Sequence, residues 1–97
     1  MAVAVHILNT SRGDVRQAYE RAWRLMDERG MPRHPEGQQM HAAWLVGDVL
    51  HVLNVWESQQ NSDTFMKTLA PILEEAGLEL HGTPEAGEFL QVVQPHE

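Results

Sequence analysis

The spacing of apolar residues changes repeatedly along this chain, and each change marks the edge of an element. Val3 to Leu8 is a short run rich in β-branched residues, bounded by Asn9, Thr10, Ser11 and Gly13, and it reads as a first strand. From Asp14 the period becomes helical, with Val15, Ala18, Tyr19, Ala22, Leu25 and Met26 on one face. Asp14 and Gln17 match a capping box, in which each side chain satisfies a free backbone N–H. Gly30 closes this helix and Pro32 prevents its restart. Met31 to Gln38 is a loop by its Pro and Gly content.

Residues 40–57, MHAAWLVGDVLHVLNVWE, are two apolar runs meeting at Gly47-Asp48, a hairpin whose second strand feeds a helix. A two-residue turn there sets Val46 opposite Val49, Trp44 opposite His51 and His41 opposite Asn54. One face of the hairpin then holds His41, Ala43, Leu45, Leu50, Val52, Asn54 and Trp56. The other holds Met40, Ala42, Trp44, Val46, Val49, His51, Leu53 and Val55. A second helix starts between Ser58 and Ser62, both good N-caps, and buries Phe65, Leu69, Ile72, Leu73 and Ala76 before Gly77 ends it. Pro71 removes the bond to the Lys67 carbonyl, which predicts a kink or a break into two short helices. After the loop around Gly82-Thr83-Pro84, Glu88 to Gln94 reads as the last strand.

This order implies an α+β fold of the ferredoxin-like βαββαβ kind, a four-stranded antiparallel sheet with two helices on one face. The strands, however, are apolar on both sides: Val3, Val5 and Ile7 alternate with Ala4 and Leu8, and Leu50 and Val52 with Val49, Leu53 and Val55. Such strands need cover on both faces, and the simplest cover is a second copy of the sheet, giving a homodimeric α/β barrel. Length adds to that pressure. Residues 1–97 make one domain, and a chain this short buries only about 60–65% of its unfolded surface. There is no cysteine to staple it.

Charge excludes one class of partner. Residues 1–34 carry six arginines against four acids, whereas residues 35–97 carry Lys67 against ten acids. The arginines are interleaved with acids, so nucleic-acid binding is not expected. MAVAVHILNT has no basic lead-in and is too short and interrupted for a secretory or membrane-spanning segment, so no membrane partner and cytoplasmic residence are expected.

The element order, Asn9 ending the first strand, the Val55-Trp56-Glu57-Ser58 junction, and the Leu69-Ala70-Pro71 to Ala76-Gly77 pattern together resemble the dimeric α/β barrel superfamily. The resemblance is to its small antibiotic-biosynthesis-monooxygenase-like members. It implies homodimers with a small-molecule pocket between sheet and helices in each subunit. It also implies cofactor-independent oxidation of aromatic, polyketide-type substrates that supply their own electrons once deprotonated. Some relatives degrade haem with an Asn, a Trp and a His on the second helix. Asn9 and Trp56 match the first two, but the second helix offers Phe65, Met66 and Lys67 in place of the His, and the haem pattern is incomplete.

His41, Asn54 and Trp56 are the candidate chemistry. Imidazole shuttles protons near neutral pH, an amide holds a substrate oxygen, and an indole lies against an aromatic ring. His41 is the candidate catalytic base, with Asn9, Asn54, Trp56 and Tyr19 as candidate substrate contacts and Trp23 as a further element of the pocket roof. The bland alternative is a cross-strand His41–Asn54 hydrogen bond beside a core Trp56. Trp44 and His51, on the other face, are expected to fill the barrel between subunits. No HxH, HExxH or Cys pair exists, so no metal is expected, and an iron or copper set of His41, His51 and a carboxylate needs the register slipped by one. No cofactor is expected either. Ser11, Ser58 and Ser62 sit where capping explains them. The alternative to an enzyme is a non-catalytic homodimer that binds a small apolar or aromatic ligand, or serves as a stress-type accessory protein.

Overall fold

The computed structural model describes residues 1–91, with elements β1 (Val3–Ser11), α1 (Val15–Glu28), β2 (Gln38–Val46), β3 (Val49–Trp56), α2 (Gln59–Ala76), β4 (Leu78–Leu80) and β5 (Glu85–Glu88). The sheet order is β2-β3-β1-β4, with β5 also on β1, and every pairing is antiparallel. This is the expected ferredoxin-like α+β arrangement.

The hairpin register follows from its turn. Gly47 takes φ of 59° and Asp48 does not share it, the sign pattern of a type II′ turn, which lets two strands continue with native twist. His41 pairs with Asn54, Trp44 with His51 and Val46 with Val49, as the pattern required. The only shift falls between Gln38 and Met40, where a bulge turns the start of β2. His41 and His51 therefore lie on opposite faces, and a metal set joining them is excluded by the register.

Helix ends also follow the sequence. The Asp14 carboxylate accepts from the Gln17 backbone N–H, and the Ser58 hydroxyl accepts from that of Asn61. Gly77, at φ of 94°, ends α2 in the left-handed region that glycine tolerates. Pro71 does not break α2, which runs unbroken from Gln59 to Ala76 with Pro71 exposed. Apolar anchors on both sides of it, Phe65 and Leu69 before and Ile72 and Ala76 after, hold both halves to the same sheet.

The last strand differs from expectation. The place beside β1 is taken by Leu78–Leu80 on Asn9–Ser11, then by Glu85–Glu88 on Val3–His6. These are two stretches of one edge, offset by a bulge around Gly82-Thr83-Pro84. Phe89–Gln91 is not strand, although the Phe89 N–H still donates to the Ala2 carbonyl at 2.9 Å, and the rest of the expected Glu88–Gln94 strand lies outside the described residues.

Both helices cover one face of the sheet. Val3, Val5, Ile7, Leu50 and Trp56 are buried beneath them with Val15, Ala18, Ala22, Ile72 and Ala76. On the opposite face Trp44 is 43% and Val46 59% exposed, with Leu8, Met40 and Leu53 half-buried around them. No helix among the described residues is long and apolar enough to cross a membrane.

Candidate functional site

Between sheet and helices lies an apolar cavity of about 70 Å³, walled by Ile7, Val52, Met26, Met66, Leu69 and Leu73. It has a polar group at each end. At the inner end is Asn9, which is only 4% exposed and lines the cavity.

At the rim is a chain of four side chains. Asn54, 4% exposed, accepts at Oδ1 from Gln38 Nε2 at 3.2 Å and from His41 Nδ1 at 2.6 Å. The other ring nitrogen, His41 Nε2, stands 3.1 Å from the Tyr19 hydroxyl. Because Oδ1 accepts from both neighbours, the His41 proton belongs on Nδ1 and the Nε2 lone pair receives the tyrosine O–H. Asn9 pairs with Leu50 and Asn54 with Val5, so the two polar ends are separated by four residues of strand, roughly 13 Å.

Trp56 occupies a different place from the rim residues. It is 1% exposed, packs with Val3, Val5 and Ile7, and meets Phe65 at 5.3 Å between ring centroids. Phe65 lines the cavity while Trp56 stands behind it. Truncating a buried Trp of this kind costs about 3–5 kcal/mol, so its structural weight is large. The structure thus gathers Asn9, Tyr19, His41 and Asn54 around one cavity and sets Trp56 in the second layer.

Arg33 and Gln38 join the rim from a loop with no periodicity to mark them, and Phe65, expected in the buried stripe of α2, faces the cavity. Arg33 lies over the Trp23 ring at 5.4 Å, and Trp23 meets Tyr19 and His41 edge-on at 6.4 and 5.7 Å. Outside this aromatic rim lies a groove of about 460 Å³ that shares Trp23, Arg33, Gln38 and His41 with the cavity and adds His34 and Gln39. Only folding brings the Met31–Gln38 loop to His41; the signal was the loop's mixed Arg, His and Gln content beside a strand carrying a candidate base.

On the opposite face, His6, Trp44 and His51 form a stack with centroid separations of 5.2 to 5.8 Å. His6 Nε2 and His51 Nδ1 are 3.2 Å apart. Among the described residues no group of three His, Cys, Asp or Glu is disposed to hold a metal ion.

No family model and no curated protein matches this sequence. Solved structures do match its fold. Rv0793 from Mycobacterium tuberculosis superposes with a TM-score of 0.67 at 17% identity, over 97% of this chain and 100% of its own. SnoaB from Streptomyces nogalater, a cofactor-independent oxygenase, gives a TM-score of 0.61 at 13% identity, over 95% of this chain and 96% of its own. A Deinococcus radiodurans protein provisionally assigned as an antibiotic biosynthesis monooxygenase gives 0.62 at 10% identity, over 100% of both chains. At such identities the likeness speaks for architecture: the chain has the ferredoxin-like α+β fold shared by antibiotic-biosynthesis-monooxygenase-like proteins.

Proposed function

We propose that this protein is a small-molecule enzyme of monooxygenase-like type, acting without a cofactor on an aromatic, polyketide-type phenol. The observation that carries this reading is the His41 ring, fixed at Nδ1 by buried Asn54 and presenting Nε2 at the rim of an apolar cavity. A phenolic hydroxyl displacing that of Tyr19 donates to Nε2, and His41 takes its proton. The electron-rich anion then reduces dioxygen. A carbon–oxygen bond forms at the ring methylene, the oxygen–oxygen bond breaks, and the CH₂ leaves as C=O with release of one water. Asn9 holds an oxygen of the substrate at the inner end, and the apolar walls keep solvent from the anion. The inner cavity is about 70 Å³, half the roughly 150 Å³ of an apolar cavity that admits benzene, so only one edge of a fused-ring substrate enters it. The remainder lies in the outer groove against Trp23.

The open sheet face supports assembly as a homodimer. Trp44 and Val46 are exposed there among half-buried apolar neighbours, an arrangement that a second copy would cover. The test of the enzymatic reading is dioxygen uptake with an anthrone, comparing wild type with His41→Ala. A positioned general base contributes about 10²–10⁴-fold, so the variant is expected to lose at least about 100-fold. Equal rates would leave the alternative, a homodimeric ligand-binding or accessory protein, as the better reading.

A further inference from the structure

The outer groove carries positive charge on a chain that is acidic overall. The protein carries a net charge of −7, yet among the described residues no carboxylate lines this groove, whereas Arg33, His34, His41, Gln38 and Gln39 do. Arg33 is the fixed charge among them. Its guanidinium rests on the Trp23 ring, and one of its nitrogens reaches Asp27 at 2.7 Å across an ion pair whose side chains are 64% and 45% exposed. Such an exposed pair is weak, and guanidinium has five donors, so Arg33 can turn to a second acceptor at little cost. Trp23 lines the groove beside it, and Trp23, Arg33, Gln38 and His41 also line the inner cavity.

We infer that the ligand is an aromatic carboxylate, its carboxylate on Arg33 in the outer groove, its ring against Trp23, and its apolar edge in the inner cavity. The inference rests on the pocket reading above and adds the charged group that the pocket selects. Carboxylate oxygens match the planar fork of guanidinium, and a stacked guanidinium is already restricted in its motion, so less freedom is lost on binding.

The test is calorimetric titration with 2-naphthoate and with neutral 2-naphthamide, which differ at the carboxylate and little in shape. Wild type is expected to bind the carboxylate about fivefold tighter than the amide, the upper end for a solvent-exposed charge pair. Arg33→Gln brings that ratio to about one and leaves the amide affinity unchanged, and Asp27→Asn, which frees the guanidinium, tightens the carboxylate by about two- to fivefold. Arg24→Gln, an exposed helix arginine away from the groove, leaves both affinities as they are. Equal affinity for the two probes in wild type, or an Arg33→Gln variant that weakens both alike, overturns the charge inference while leaving the pocket standing. If neither probe binds, the pocket reading and this inference fall together.

Discussion

Replacing Asn54 by Leu separates the orientation of His41 from the stability of the fold. Asn54 is 4% exposed, and its Oδ1 serves both the His41 Nδ1–H and the Gln38 amide. Leucine has the same branched shape and is larger, so the substitution removes two accepted hydrogen bonds without opening a cavity. Each such bond contributes about 0.5–1.5 kcal/mol net. The His41 ring is exposed and Gln38 half-buried, so both donors turn to water and the loss stays near the lower end. Burial of leucine carbons offsets part of it. The expected destabilisation is about 1 kcal/mol, or a fall in Tm of about 4–8 °C for a domain of this size. The effect on the ring is larger in kind. In wild type, long-range proton–nitrogen spectra of neutral His41 are expected to place its proton on Nδ1. In Asn54→Leu that preference goes, and anthrone turnover falls with it while the fold persists. A wild-type ring protonated on Nε2 would refute the reasoning, because the nitrogen facing Tyr19 and the cavity would then have no lone pair to accept a proton.

Further expectations follow from single contacts. Pro71→Ala restores a backbone donor to the middle of α2 at an exposed position, and is expected to stabilise by up to about 3 kcal/mol in chemical denaturation; no gain would mean that the helix has already adapted around the ring. Gly77→Ala forces a side chain into φ of 94° and is expected to cost about 1–2 kcal/mol on the same assay, with an unchanged midpoint counting against the left-handed cap. Trp44→Glu places a charge on the open sheet face and is expected to convert a dimer to a monomer in sedimentation; a wild-type protein that is already monomeric at micromolar concentration removes the dimer proposal.

The sequence revealed most where periodicity and turn chemistry agreed. Gly47-Asp48 between two apolar runs determined which residues share a face, and that alone placed His41 beside Asn54 and away from His51. The capping residues Asp14 and Ser58 and the terminator Gly77 were equally legible, since each answers a local backbone demand. The fourth edge was not. Leu78–Leu80 is only three residues long, Glu85–Glu88 is exposed with no apolar alternation, and the bulge between them hides their continuity. The cavity rim was legible only in part. Tyr19, His41 and Asn54 come from amphipathic elements whose facing can be read, but Arg33 and Gln38 reach the site through a loop whose path depends on Gly37, which lies against Asn61 with no room for a Cβ. Trp56 looked like a ring-stacking residue because it shares the face of Asn54; that Phe65 would shield it depends on where α2 crosses the sheet.

The broken fourth edge bears on how copies of this chain meet. An intact border strand exposes a row of free amides and carbonyls that invites another chain to extend the sheet without limit. Here that border is interrupted by a proline and carries Glu79, Glu85 and Glu88, so a neighbour approaching edgewise meets like charge and a gap in the ladder. Edgewise growth through this border is disfavoured, and under the proposed dimer the flat greasy side is the surface that a second copy would cover.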